Sequence, residues 1–328
     1  MTTPPLLEIE NLRVALPAPA GPVQVIKRLD LRVEPGEIVG IAGESGSGKS
    51  LTALTLLDLL PRGAVVEGSI RFDGQELVGL TPREWGAVRG TAISMVFQDS
   101  SAALHPMLTI GKQLTEHMRT GLHLSRAKAR ERALELLEQM RIPQPHKAMR
   151  SYPHQFSGGM RQRIAIAIGL ACRPRLLIAD EPTTALDVTV QAGILALLDE
   201  LRRESDLAVL FITHDLGVLS SLTQRAYVFY AGRAMESGPT GQVLTAPRHP
   251  YTAALLAARP HGLSASRSLQ AIPGRPALAS EVLPGCPFAP RCTFAQDVCR
   301  AAPPDVVPIG DDRTLACAVD PLRQEVRA

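Results

Sequence analysis

Gly43-Glu44-Ser45-Gly46-Ser47-Gly48-Lys49-Ser50 lies between a short apolar run, Glu37 to Ala42, and a stretch from Leu51 to Leu60 that reads as a helix. Strand, glycine loop, helix is the opening unit of a parallel α/β sheet. The octet matches the phosphate-binding pattern G-x-x-x-x-G-K-S. Its glycines let backbone N–H groups curl around an oxyanion, and the helix that follows turns its positive end toward that anion. In this setting Lys49 is expected to reach β- and γ-phosphates and Ser50 to ligate Mg²⁺.

Upstream of the loop, Leu7 to Val14 and Val23 to Val33 carry alternating apolar positions and read as strands, with a turn at Pro35-Gly36. Downstream, Leu176 to Ala179 reads as a buried strand, Val188 to Arg203 as a helix, Ala208 to Thr213 as a strand and Arg225 to Glu236 as strand-rich. The intervening stretch from His105 to Met160 is helical and polar. Ser125 is its plausible N-cap, for a helix from Arg126 to Met140 with Ala133, Leu134, Leu137 and Met140 on one face. No strand signal interrupts it, which predicts a helical subdomain inserted into the α/β unit. After about residue 250, Pro273, Pro276, Pro284, Pro287, Pro290, Pro303, Pro304 and Pro308 break any long element. Such a loop-rich tail buries little on its own and is expected to need a staple.

The chain has 328 residues, which predicts about two domains. Thirty-five basic against 32 acidic side chains give a net charge of +3, too small to mark a nucleic-acid face. Hydrophobic residues at 45% place the chain among folded proteins. The longest apolar run, Ile164 to Cys172, falls well short of the roughly 20 residues of a membrane span. The first residues, Met1-Thr2-Thr3-Pro4-Pro5, do not read as a secretory signal, so the protein is expected in the cytosol.

Leu176-Leu177-Ile178-Ala179-Asp180-Glu181 is an apolar strand that ends abruptly in two carboxylates. Asp180 fits the acid on the Mg²⁺ side and Glu181 the general base for an attacking water. Gln98 follows the run Ala92 to Phe97, and His214 follows the strand ending at Thr213. Both would stand at the carboxyl edge of a parallel sheet, where ligands bind, and are read as γ-phosphate contacts. Gln98 also joins Ser50 and Asp180 in the expected Mg²⁺ set. A second anion site is predicted where Ser157, Gly158, Gly159 and Met160 open an apolar helix. With one phosphate loop already present, this one suggests a nucleotide contact made in trans.

These motifs, in this order, resemble an ABC transporter ATPase subunit over about residues 5 to 250. Phe156-Ser157-Gly158-Gly159-Met160 stands where that family has its signature, Gln98 at its Q-loop, Thr184-Ala185-Leu186-Asp187 at its D-loop and His214 at its switch histidine. The resemblance implies an ABC-type P-loop ATPase: a RecA-like α/β core, an antiparallel β-subdomain and the helical subdomain at about 99–160. It also implies two such chains sandwiching two ATP molecules head to tail. Gly43, Glu44, Ser45, Gly46, Ser47, Gly48, Lys49, Ser50, Asp180 and Asp187 would then be nucleotide contacts, with Glu181, Gln98 and His214 catalytic. The family stacks adenine on an aromatic ring near the N-terminus. Here Leu16 occupies that place and no aromatic precedes Phe72, which leaves an aliphatic contact instead.

Four cysteines, Cys286, Cys292, Cys299 and Cys317, crowd the tail, while Cys172 sits alone in an apolar run and reads as a small core residue. Four thiolates suit either Zn²⁺ or an iron–sulfur cluster. The stretches Phe97-Gln98-Asp99-Ser100, Glu181 to Gln191, His249-Pro250-Tyr251-Thr252 and Gly285 to Cys292 resemble the oligopeptide/dipeptide branch of the family, which includes nickel importers. That resemblance implies an ATPase domain at 1–250 and a C-terminal extension at 251–328 whose cysteines hold a [4Fe-4S] cluster, with Zn²⁺ and unliganded thiols as the alternatives. It further implies uptake of peptides, nickel or glutathione at the cytoplasmic face of a membrane. The expected partners are two transmembrane permease subunits, a second and paralogous ATPase subunit and, indirectly, an extracytoplasmic solute-binding protein. The alternative is a soluble ABC-type ATPase acting on DNA or ribosomes. Such proteins carry a long coiled coil or tandem cassettes, and neither is present. An exporter of drugs or lipids is a third reading, against which the C-terminal segment argues.

Overall fold

The computed structural model describes residues 4–99, 103–184, 186–258 and 271–323. Ser100 and Ala185, quoted above within two motifs, lie outside them. The chain passes repeatedly between two compact units. One comprises Met1–Leu7, Arg32–Ile38 and Arg71–Ile212; the other comprises Glu8–Leu31, Val39–Ile70 and Thr213–Ala328.

In chain order the strands that matter are β1 (Leu7–Leu16), β2 (Val23–Val33), β3 (Ile38–Ala42), β4 (Val65–Phe72), β5 (Gln75–Glu76), β6 (Ile93–Val96), β7 (Leu176–Asp180), β8 (Ala208–Thr213), β9 (Arg225–Tyr230) and β10 (Arg233–Pro239). The helices are α1 (Lys49–Thr55), α2 (Pro82–Val88), α3 (Ile110–Gly121), α4 (Arg126–Gln139), α5 (Gly158–Gly169), α6 (Val188–Ser205), α7 (Leu216–Leu222) and α8 (Pro250–Ala257).

In the first unit β6, β7 and β8 run parallel, with Ile93 opposite Leu176 and Leu176 opposite Ala208. Every residue of β7 and β8 is buried, which is why their sequences are continuous apolar runs without alternation. The stretch from Ile110 onward is helical, as its pattern predicts. Ser125 caps α4 by accepting a hydrogen bond from the Lys128 amide at 3.3 Å. The buried face of that helix is Ala129, Ala133, Leu136 and Leu137. Leu136, three residues after Ala133 and seven after Ala129, shares that face, whereas Leu134 is turned about 100° from Ala133 and falls at its edge. Cys172 is buried, as expected of a core residue, and its thiol points at the His117 carbonyl oxygen at 3.3 Å.

The second unit holds a mixed sheet in the order β4-β1-β2-β10-β9-β3. Within it β3 is parallel to β9 and β9 antiparallel to β10. The helix after the phosphate loop stops at Thr55 instead of running to Leu60. Asp58 adopts a left-handed conformation, φ 50°, and the Leu59 amide turns back to the Leu54 carbonyl at 2.9 Å. A short polar side chain tolerates that conformation, and the reversal ends the helix without a glycine.

The tail, expected to bury little on its own, packs against other parts of the second unit. Phe288 is buried and packs at 5.5 Å from the Tyr230 ring and 5.2 Å from the Tyr251 ring. Thr314 and Leu315 pair antiparallel with Ser237 and Glu236 of β10. Arg313 donates to the buried Glu236 carboxylate at 2.6 Å, and the same carboxylate accepts from the Arg248 and His249 amides. A buried ion pair is tolerated when its remaining lone pairs are met in this way. Aromatic packing, strand pairing and this pair order the segment. No helix among the described residues is long and apolar enough to cross a membrane.

Candidate active site

The phosphate loop belongs to the second unit. Gly43 has φ +152°, and a Cβ there would come within 2.2 Å of the Phe229 carbonyl oxygen, so only glycine fits. Gly48, φ 104°, stands at the N-cap of α1 and supplies no side-chain cap to its first turn. Lys49 is 5% exposed, and its ammonium donates to the carbonyl oxygens of Gly43 (2.8 Å) and Glu44 (3.1 Å). The charge is thereby fixed inside the curve of the loop. Ser47 is buried and its hydroxyl has no hydrogen-bond partner. A buried polar atom left in that condition is costly, and an oxyanion in the loop would satisfy it. Ser50 is exposed at the start of α1.

Glu44, expected as a nucleotide contact, is engaged by another side chain. Arg291 forks onto it, Nη1 to Oε2 at 2.6 Å and Nη2 to Oε1 at 3.1 Å. The Glu44 amide donates to Tyr251 Oη at 2.9 Å, and the Ala279 amide donates to the Gly46 carbonyl at 3.0 Å. None of these partners was legible beforehand, because Glu44 and Arg291 are 247 residues apart and carry no mutual signal. His214, in the same unit, directly follows β8 and is exposed.

The carboxylates belong to the first unit. Asp180 is buried at the last position of β7. Glu181 takes a left-handed conformation, φ 45°, anchored by its amide donating to the Ile212 carbonyl at 2.9 Å. Strain of this kind in a non-glycine residue costs on the order of 1–3 kcal/mol and persists where the surroundings fix it. The Glu181 carboxylate accepts from Gln98 Nε2 at 3.1 Å and from Thr184 Oγ1 at 2.9 Å, both on Oε2. Gln98 and Glu181, 83 residues apart, are thus brought together, and both donors are neutral.

Ser157 caps α5 by accepting from the Met160 amide at 3.4 Å. A Cβ on Gly159 would meet Val190 Cγ1 of α6 at 2.5 Å, so this glycine lets α5 and α6 approach closely. Asp187 caps α6, accepting from the Val190 amide at 2.9 Å. Both helix starts therefore have a packing reason as well as a chemical one.

The four tail cysteines are free thiols that line one apolar pocket with His249, Phe288 and Ala289. Burial, with Cys317 and Cys299 adding to it, pushes the Cys286 thiol up to about 11 against amide hydrogen bonds from Phe288 and Ala289. Burial raises Cys292 as well. Yet among the described residues no three Cys, His, Asp or Glu side chains are grouped to hold a metal ion. What is found at the expected four-cysteine site is four free thiols around a shared pocket.

A lysine-bearing phosphate loop after a buried strand, and a strand ending in a buried aspartate and an oriented glutamate, define a P-loop nucleotide hydrolase. Comparison with known proteins narrows the class. A family described as "ABC transporter" matches residues 26–184, and one described as "Oligopeptide/dipeptide transporter, C-terminal region" matches residues 235–299. The oligopeptide transport ATP-binding protein OppD of Salmonella typhimurium is 46% identical over 299 residues, 91% of this chain and 89% of the relative. Its Haemophilus influenzae counterpart is 46% identical over 91% of this chain and 93% of the relative. A solved ATP-binding cassette, dimeric in a post-hydrolysis state with ADP and phosphate, superposes with a TM-score of 0.64 at 29% identity, over 71% of this chain and 98% of its own. The chain belongs to the family of ABC transporter ATP-binding proteins. It has the ATP-binding cassette fold, a mixed sheet with helices, and is an ATPase.

Proposed function

We propose that this chain is the ATP-hydrolysing subunit of a membrane importer for peptides or a related solute such as nickel or glutathione. The observation that carries the reading is the presence in one chain of the cassette and the oligopeptide/dipeptide C-terminal region. The alternative, a soluble ATPase acting on DNA or ribosomes, is not favoured by relatives named for oligopeptide transport.

We assign Gly43 to Ser50 to the ATP phosphates, with Lys49 as their charge partner. Glu181 is the general base, oriented by Gln98, and His214 a γ-phosphate contact. Ser50, Gln98 and Asp180 are the residues that would hold Mg²⁺, which neutralises phosphate charge when bound. Ser157 to Met160 and Asp187 serve a second ATPase subunit, by analogy with the dimeric cassette. That partner is a paralogue, and the pair works at the cytoplasmic face with two permease subunits and, indirectly, a solute-binding protein. The ATPase domain spans 1–250, its helical subdomain about 99–160, and the C-terminal extension 251–328. The four thiols around one pocket support an iron–sulfur cluster there, with Zn²⁺ as the runner-up; once deprotonated, four thiolates supply the donor set that such a cluster takes. Anaerobically purified protein is expected to be brown, with absorbance near ~400 nm and about four iron atoms per chain. One zinc and no colour would select the alternative.

The importer reading is tested in vesicles that contain this chain, its partner ATPase and the two permeases. ATP-dependent accumulation of a labelled peptide, nickel or glutathione is the expected outcome. ATP hydrolysis with no accumulation of any of the three would overturn it.

A further inference from the structure

The C-terminal segment grips the phosphate loop, and the roles assigned above make no use of that grip. Arg291 is only 8% exposed. Besides its fork onto Glu44, its Nε donates to the Pro273 carbonyl at 2.8 Å and its Nη1 to Tyr230 Oη at 3.3 Å. The guanidinium also stands 5.8 Å from the Tyr230 ring and 5.9 Å from the Phe288 ring. A guanidinium this buried is tolerated only while its partners stay fixed, since losing one leaves an unpaired charge. Among these partners Glu44 is the one that belongs to the phosphate loop. The loop is pinned there a second time by Tyr251 Oη, which accepts from the Glu44 amide at 2.9 Å, and a third time by the Ala279 amide on Gly46.

The clamped residue is the one that matters for the loop's shape. The carbonyls of Gly43 and Glu44 are the acceptors that anchor Lys49. Shifting Glu44 would shift those carbonyls and with them the ammonium that meets phosphate. A simple ionic tether on the surface would need neither burial nor a two-pronged contact; this one has both.

We propose that Arg291 is a positioning residue for ATP: by clamping Glu44 it holds the phosphate loop in its binding shape, and so couples nucleotide affinity to the order of the C-terminal segment. The coupling is reciprocal. A change that loosens the segment weakens ATP binding, and bound ATP tightens the segment by the same factor. The proposal rests on the loop binding ATP, which Lys49→Ala checks separately. If wild type and Lys49→Ala bind nucleotide equally, the assignment of the loop fails, whatever Arg291 does.

The test uses the full chain and a fluorescent ATP analogue, with Arg291→Ala, Arg291→Lys, Glu44→Gln and the Arg291→Ala/Glu44→Gln double variant. Arg291→Ala is expected to weaken binding about tenfold, since a buried charged hydrogen bond is lost. Arg291→Lys, which keeps the charge and loses the fork, should lose roughly threefold. The double variant should bind no more weakly than the weaker single, because both act through one contact. In Arg291→Ala and Arg291→Lys, turnover at saturating ATP should stay within about twofold of wild type, with the change confined to the KM for ATP. Limited proteolysis should show that the analogue protects the segment around Pro273 to Cys292 in wild type and not in Arg291→Ala. Unchanged affinity in Arg291→Ala overturns the proposal. So do additive losses in the double variant, or a loss of turnover at unchanged KM. Should Arg291→Ala fail to fold, unchanged affinity in Arg291→Lys overturns it equally.

Discussion

Glu44 and Glu181 are both half-buried glutamates beside phosphate chemistry, one in the phosphate loop and one at the end of β7. Their partners differ. Glu44 receives the two-pronged guanidinium of Arg291, while Glu181 receives an amide from Gln98 and a hydroxyl from Thr184. A guanidinium neutralises the carboxylate it holds and fixes it in place, whereas neutral donors aim a carboxylate without cancelling its charge. The same side chain is thus clamped by a guanidinium in one unit and engaged by an amide and a hydroxyl in the other, which is the arrangement that the general base proposed above would use. Sequence position alone does not separate these roles, since each lies within a phosphate-site motif.

The contrast can be broken most sharply at Glu181. Glu181→Gln is expected to lower ATP turnover by about 10²–10⁴-fold while nucleotide binding remains nearly intact. Glu44→Gln should do the reverse, weakening binding and sparing turnover at saturating ATP. Steady-state hydrolysis over a range of ATP concentrations distinguishes the two, and matching losses in kcat at both sites would abolish the distinction. A middle-sized effect is expected at Gln98. Gln98→Ala removes one of the donors that aim Glu181 and should cost roughly tenfold in kcat with little change in KM. An effect as large as that of Glu181→Gln would make Gln98 more than an orienting residue. The smallest effect is expected in the tail. Cys286→Ser should bleach any colour yet lower Tm by only about 2–4 °C, because rings and ion pairs already order the segment. A collapse of thermal stability in a thermal melt would return that role to the thiols.

What the sequence disclosed follows the range of its signals. The phosphate loop, the Asp180-Glu181 strand end and the cap at Ser125 are contiguous, and local chemistry dictates each of them. The helix after the loop was overextended because nothing in Leu51 to Leu60 announces the left-handed turn at Asp58. Leu136 is not reached from Leu134, since residues three and four apart share a helix face and residues two apart do not. The Gln98–Glu181 contact was anticipated only as two residues at strand ends, without the bond that joins them. Arg291 was invisible: an arginine between Pro290 and Cys292 reads as a solvated charge, and its burial depends on Tyr230, Tyr251 and Phe288 meeting from three parts of the chain. The tail's order is illegible for the same reason, since the rings it packs against lie far back in the chain.

The interleaving of the two units has a consequence for biosynthesis. Arg71–Ile212 is one continuous run and supplies most of the first unit, so it can begin to fold as soon as it has left the ribosome. The second unit needs Glu8–Leu31 and Val39–Ile70 to wait for everything after Thr213. Until β9 and β10 emerge, β2 and β3 have exposed edges and the phosphate loop lacks the residues that clamp it. Closure across so long a separation is slow. The nascent chain is therefore most exposed to chaperones and to aggregation while the first part of its nucleotide-binding unit is already made and the rest is still being translated.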